Sequence, residues 1–324
     1  GGGAGGQEAT AKKKPKVPFT KKLQMGHFDI KNSYASGTMP NTFTFPVPFL
    51  EPPVVIIAPN AVDRSPCNIR VRGVTTTGFS AWLVEPPGED GPHKQQHVAY
   101  LAAAIGVHTL PDGRKFEVGK ISTLQQVYSG SCKPDGVSDG WESVAFSNPF
   151  PEAPAFLTGL QSMMNEIGNV PLEVSKPFLS VATNDLRSDG ASIAIDRGEA
   201  GEHGTLVLHE VIGWMAFEPG YTIFKGSLGA NGRCTALLSD QVIRGQDDDP
   251  PATVPFPIDL NSTSPLIVGS QSSRADSEGG WMRLRGATGM GVQVVIDEDN
   301  SCDAERTHEE EKVSLFACNV PFVL

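Results

Sequence analysis

Apolar residues alternate with other residues along much of this chain, with the period of a β-strand. Val98, Tyr100 and Ala102 stand two apart, as do Ile212, Trp214 and Ala216, and Val313, Leu315 and Ala317. Residues two apart on a strand share a face, so each triplet predicts one buried face, with Gln96 leading the first triplet in. The three phrases are versions of one another. His93 and His308 are each followed at +3 by Gln or Glu, at +5 by Val, at +7 by a large apolar residue and at +9 by Ala. The middle copy keeps Glu210, Ile212, Trp214 and Ala216 in step but carries Val207 in place of the His. A recurrence about every hundred residues predicts one small module used three times.

Upstream segments divide the chain the same way. Arg70-Val71-Arg72-Gly73-Val74 reaches Gly78 eight residues after Arg70, and Arg283-Leu284-Arg285-Gly286-Ala287 reaches Gly291 at the same spacing. The middle copy has Gly190, but Ala182 stands at the Arg position. Phe45, Phe49 and Pro53 match Phe146, Phe150 and Pro154, and Pro265-Leu266-Ile267-Val268 fills the last part of that role more loosely. Each module opens on a phrase around a glycine, MGHF near 26, VGKI near 119 and FKGS near 226. The predicted organisation is a flexible Gly/Lys-rich arm at 1–22, then modules at about 23–114, 115–220 (the most divergent) and 221–324. β-branched runs at Val54–Ile57, Ile69–Val74 and Val292–Ile296, bounded by turn residues, predict all-β sandwiches. One short helix is expected, over Leu157–Ile167.

The 324 residues carry a net charge of −11, with acidic clusters at Asp247–Asp249, Asp297–Asp299 and Glu309–Glu311. That balance argues against a nucleic-acid partner or an anionic membrane surface. The basic run from Lys12 to Lys22 reads as a solvated leader, with an anion-binding or nuclear-localisation-like tail as the alternative. No apolar stretch is long enough to span a bilayer. Cys67, Cys132, Cys234, Cys302 and Cys318 are odd in number, do not recur at matching positions and form no CxxC pair. They predict free, half-buried thiols, no zinc site and a reducing compartment. The sequon Asn261-Ser262-Thr263 is compatible with secretion.

Catalytic templates are missing. His209-Glu210 lacks the second His of a zinc-protease helix, and no serine sits in a G-x-S-x-G turn. The GATGMG phrase at 286–291 lacks the Lys of a phosphate loop and reads as a tight turn. No enzyme and no cofactor are predicted. Asp297, Glu298 and Asp299 read as paired carboxylates, cation ligands or a solvated loop. Adjacent acids alternate faces on a strand, which favours the loop. Arg70 with Arg72, and Arg283 with Arg285, lie two apart, facing away from Val71 and Leu284. Exposed, such pairs form surface ion pairs of small worth, or anchor sugar hydroxyls through fixed donors. His93 and His308 read as loop residues at the mouth of a core strand, or beside a ligand cleft.

The first module carries Phe43-Thr44-Phe45, Phe49, Pro52-Pro53-Val54-Val55, Asn68-Ile69-Arg70-Val71, Thr77-Gly78-Phe79 and the strand Val98–Ala102 in order. In this it resembles the H-type lectins, the family of snail agglutinins and discoidin C-terminal domains. The resemblance is looser in the third module and loosest in the second. It implies three antiparallel six-stranded β-sandwiches and non-enzymatic binding of N-acetylgalactosamine-type glycans at clefts between trimer subunits. Arg70 matches the family's sugar-contacting Arg in its N-[LI]-R-V phrase, and Arg283 stands at the equivalent place. The agglutinins' Trp-His pair is replaced by Pro86-Pro87 in the first module and by the stretch at Asp297 in the third. Three tethered copies of a trimerising module predict an intramolecular pseudo-trimer, with separate sandwiches in a row as the alternative. Two functions follow. One is a lectin-like or adhesion protein, secreted or at the cell surface, with Arg70, Arg72 and His93 in one site and Arg283, Arg285 and His308 in another. The other is a scaffold component using the sandwiches for protein contacts, in a cytoplasmic or cytoskeletal setting.

Overall fold

A computed structural model describes residues 21–31, 40–61, 65–87, 94–129, 132–166, 177–202, 204–225, 231–248 and 250–324. Most of the N-terminal arm, His93 and the Gly226 phrase lie outside the described residues. The first strands in chain order are β1 Leu23–Ile30, β2 Asn41–Thr44, β3 Val54–Ile57, β4 Asn68–Arg72, β5 Gly78–Val84, β6 Gln96–Ala103 and β7 Gly106–Thr109. There follow β8 Lys115–Thr123, β9 Gln126–Val127, β10 Glu142–Ala145, β11 Ala155–Leu160, β12 Ser180–Arg187, β13 Gly190–Asp196, β14 Glu210–Phe217 and β15 Gly220–Lys225. The last are β16 Asn231–Leu238, β17 Ala252–Pro255, β18 Leu266–Gln271, β19 Trp281–Thr288, β20 Gly291–Asp297, β21 Val313–Cys318 and β22 Phe322–Val323. The fold is all-β. A 3-10 turn at Glu199–Glu202 is the only helical element among the described residues. The helix expected over Leu157–Ile167 is not found: Leu157–Leu160 end strand β11, with both faces of Ala155–Leu157 buried between sheets, residues 161–166 are irregular, and Ile167 lies outside the described residues.

The strands form six sheets. Three have four strands, in the orders β22-β1-β6-β3, β11-β14-β8-β7 and β15-β16-β21-β18. The others are β2-β5-β4, β10-β13-β12 with β9 against β13, and β17-β20-β19. Each four-stranded sheet faces a smaller one across its own core. Val98, Tyr100 and Ala102 meet Phe28, Phe45 and Phe79 in the first pair of sheets. Ile212, Trp214 and Ala216 meet Phe146 and Ile193 in the second, and Val313, Leu315 and Ala317 meet Val292 and Ile296 in the third. The alternation read from the sequence thus identifies the inner faces.

The opposite faces are buried too. Ala99, Leu101 and Ala103 join Met215 and Phe217, and Phe316 and Cys318, in one further core supplied by all three four-stranded sheets. Burial on both faces explains why these strands read as near-continuous apolar runs such as VAYLAA and IGWMAF. The connectivity links the sheets in a ring. The segment after each long closing strand adds an outer strand to the next sheet: β7 pairs with β8, and β15 with β16. The last, β22, returns to the first sheet, setting Val323 opposite Gln24.

Glycine explains two local devices. A Cβ on Gly78, Gly190 or Gly291 would run into the carbonyl oxygen of Phe43, Val144 or Val254, so each strand β5, β13 and β20 starts where another backbone passes too close for a side chain. Beside each, the loop is tied down alike: Phe45 and Phe49 donate to the carbonyls of Thr77 and Thr76, and Phe146 and Phe150 to those of Asp189 and Ser188. Phe256 and Leu260 donate to Met290 and Gly289, supplying the third copy that the sequence reading left blank. At Gly26 and Gly119 a Cβ would strike the rings of Tyr100 and Trp214. The third sheet has Leu315 in place of the aromatic, and Leu237 opposite it instead of glycine.

The cysteines depart from expectation. Cys132 bonds to Cys302 and Cys234 to Cys318, and the buried Cys67 stands outside both disulfides. The bridges were illegible because their partners are 170 and 84 residues apart and occupy unlike positions: a loop-to-loop link, and a cross-strand link between β16 and β21.

Candidate functional site

The alternation along β4 turns Ile69 and Val71 into the first core and Arg70 to the opposite face. That face is not solvent. The second sheet pair covers it, and Arg70 is 1% exposed. Its guanidinium makes a bidentate contact with Glu166, Nε to Oε2 at 3.0 Å and a second nitrogen to Oε1 at 3.2 Å, and stacks over Phe178. Burial pushes the Glu166 carboxyl up to about 7, the attraction of Arg70 offsetting only part of the desolvation and the nearby Glu210 charge adding to it. The expectation of an exposed pair therefore fails at Arg70, while Arg72 is half-buried beside Trp82.

Arg283 repeats this placement on β19. It is fully buried, between Asp297 of its own sheet pair (2.6 Å) and the carbonyl oxygens of Asn60 (3.0 Å) and Ser65 (2.8 Å) in the first. Arg306 grips the other oxygen of Asp297 through Nε at 3.0 Å. Asp297, Glu298 and Asp299 are all buried, so the solvated loop expected there is corrected. The loop from 298 to 311 folds back over the acids. It brings His308 Nδ1 to 2.9 Å from Glu298 and leaves Nε2 at 3.5 Å from Glu311. Burial opposes protonation of His308, but Glu298, Glu311 and Asp276 outweigh it and hold the imidazole up at about 10. His308 is thus buried and holds its loop, and it also lines an open cleft of about 510 Å³ together with Arg244, Asp248, Asp276 and Glu278.

At the third seam Ala182 stands where the other sheets have Arg. Here Arg274 comes from the third sheet pair to Asp196 of the second, 3.1 Å away, and to the carbonyl of Tyr128. The residue three after the loop His completes the set. Gln96 accepts from the Asn60 amide. Glu210 accepts from the amides of Met164 and Asn165 and from the Ser162 hydroxyl. Glu311 accepts from the amides of Ala275 and Asp276 and from the Ser273 hydroxyl. Each braces the loop after β3, β11 or β18 with buried amide donors, and that loop is what the neighbouring sheet pair meets. Sequence reading marked these three positions but missed Glu166, Arg274 and Arg306, which lie in loops with no recurring pattern.

Edge strands are sealed in the same seams. The Gln161 amide pairs with both backbone groups of Val55 on β3 at 2.8 Å. Ser314 and Ser270 take the Phe156 and Thr158 amides of β11 at 2.9 Å. Such capping protects edges that would otherwise template further strands.

Two spaces remain. A central cavity of about 60 Å³ touches Ile57, Arg70, Thr158 and Ser270, from all three sheet pairs, and is too small for a sugar ring. An open cleft of about 560 Å³ lies between the first and third pairs, with Arg285, His27, His97, Asn60 and Asn319 on its walls. Arg285 is half-buried there and donates to the carbonyl of Gln246 at 3.1 Å. No helix is long and apolar enough to cross a membrane. Compared with known proteins, the chain matches no family model, no curated protein and no solved structure at a significant level.

Proposed function

We propose that this chain is a non-enzymatic structural and interaction protein, three degenerate lectin-like sandwiches packed as an intramolecular pseudo-trimer. The burial of Arg70 and Arg283 carries the reading. In the resembled family these positions would touch sugar; here their donors are spent on Glu166, Asp297 and backbone carbonyls across the seams. A sugar would have to displace a buried ion pair, which costs several kcal/mol. The shared core and the ring of outer strands support the compact arrangement. The two disulfides fit an assembly in an oxidising compartment, the reverse of what the cysteine count suggested. Small-angle scattering should give a compact particle, and a glycan array should return no specific hits. Arg70→Met and Arg283→Met should lower the melting temperature. An elongated particle would refute the packing.

A second reading keeps the sugar function and moves the site. The open cleft has the size of a ligand pocket, and half-buried Arg285 lines it together with the polar side chains of Asn60, His97 and Asn319. Array hits that vanish in Arg285→Ala with an unchanged melting temperature would establish this lectin reading over the structural one.

A further inference from the structure

A group of carboxylates on the seam between the second and third sheet pairs takes no part in the braces above, apart from Glu298, which also holds His308. Glu278, Glu298 and Glu305 each place an oxygen within 4.8 Å of the others, and Glu199, Glu278 and Asp303 do the same. Glu199 comes from the 3-10 turn of the second pair and the rest from two loops of the third, so the group straddles the seam. Among the described residues no ion pair reaches Glu199, Glu278, Asp303 or Glu305. His308 is bound to Oε2 of Glu298, and Arg306 to Asp297. Crowded acids at a surface are ordinary, but one atom here is not. Glu298 is 2% exposed, and its second oxygen, Oε1, is buried with no hydrogen-bond partner among the described residues. A buried acceptor atom left without a donor or cation costs about 1–3 kcal/mol, even where the other oxygen of the group is paired.

We propose that Glu278, Glu298 and Glu305 bind one calcium ion, with Glu199 and Asp303 alongside Glu278 completing its negative surroundings. The geometry and chemistry agree. Calcium takes oxygen ligands at about 2.3–2.6 Å, so two oxygens on one ion stand no more than about 4.6–5.2 Å apart, and oxygens within 4.8 Å of one another can share it. The donors are all carboxylates, which disfavours zinc, and several side chains converge, which disfavours the mostly hydrated magnesium ion. Glu298 is the buried base of the site, while Glu305 and Asp303 are exposed, leaving an entry path and room for water ligands. The loops are already pinned. Cys302 is bridged to Cys132 and its amide donates to Glu199 at 3.1 Å, and Thr307 donates to Glu305 at 2.8 Å. The ion would tie the third pair's loops to the second pair's turn, whichever functional reading holds.

Calorimetry on the full chain stripped with chelator tests this. Calcium chloride should bind at one ion per chain, with a dissociation constant on the order of 10⁻⁴–10⁻³ M, and magnesium chloride should bind at least tenfold more weakly. Calcium should also raise the melting temperature, and chelator should reverse the rise. Glu278→Gln should weaken calcium binding at least tenfold, yet melt in chelator no lower than the parent, since it removes a like charge. Glu152→Gln, an exposed acid elsewhere on the surface, should bind as the parent does. No heat and no melting shift up to about 5 mM calcium would overturn the site. So would equal binding by Glu278→Gln, which would mean diffuse attraction to an acidic protein.

Discussion

Arg70 and Arg283 occupy the same place on their strands, each pointing away from its own core into a neighbouring sheet pair, yet they are neutralised differently. Arg70 meets a carboxylate that belongs to the neighbour, Glu166. Arg283 brings its carboxylate with it, Asp297, shared with Arg306, and offers the neighbour only donors for two carbonyls. At the third seam the guanidinium comes from the opposite side, as Arg274 to Asp196. What each seam keeps is one buried guanidinium–carboxylate contact; which chain segment supplies either half is free. A residue held this way is an internal fastener, and its identity with a sugar-contacting position in a resembled family says little about sugar.

The comparison can be broken most sharply at Asp297. Asp297→Asn strips the carboxylate from two buried guanidinium groups at once and should cost about 3–5 kcal/mol or more in denaturant unfolding. A loss under about 1 kcal/mol would show that the carbonyls alone suffice. Arg70→Met comes next, and its cost should depend on pH in a way that Arg283→Met does not. Glu166 has its folded pKa raised from 4.5 to about 7 even beside Arg70, and it rises further without it. A carboxyl whose folded pKa exceeds its unfolded one has its favourable contribution intact below about 4.5, and loses it as pH climbs through the folded value. The Arg70→Met deficit should therefore be flat near pH 5 and larger by about 1–1.5 kcal/mol near pH 8. A pH-independent deficit would mean that Glu166 keeps one protonation state across this range.

At the third seam, Cys132→Ser should cost about 2–4 kcal/mol, because the bridge to Cys302 closes a long loop between the second and third sheet pairs. The same melting temperature for oxidised and reduced parent would contradict this. The smallest effect belongs to Arg72, two residues from Arg70 but half-buried: Arg72→Ala should change stability by about 0–1 kcal/mol, the range of a surface cation beside an aromatic ring.

Alternation and recurrence along the chain specified the all-β class and the inner-facing triplets. They also placed the glycines at 78, 190 and 291, because these depend on neighbours a few residues or one hairpin away. The second buried face of β6, β14 and β21 was also written there, in apolar residues at the intervening positions, although a single-face reading passes over it. The partners of Arg70, Arg283 and Arg274, the burial of His308 and the Asp297 stretch, and both disulfides were fixed only when the sheet pairs closed on one another. Those contacts join residues tens to hundreds of positions apart in irregular loops, where no periodicity links the two sides. Whether an arginine meets water or a neighbouring sheet is a property of what covers it, and a local pattern carries no record of that.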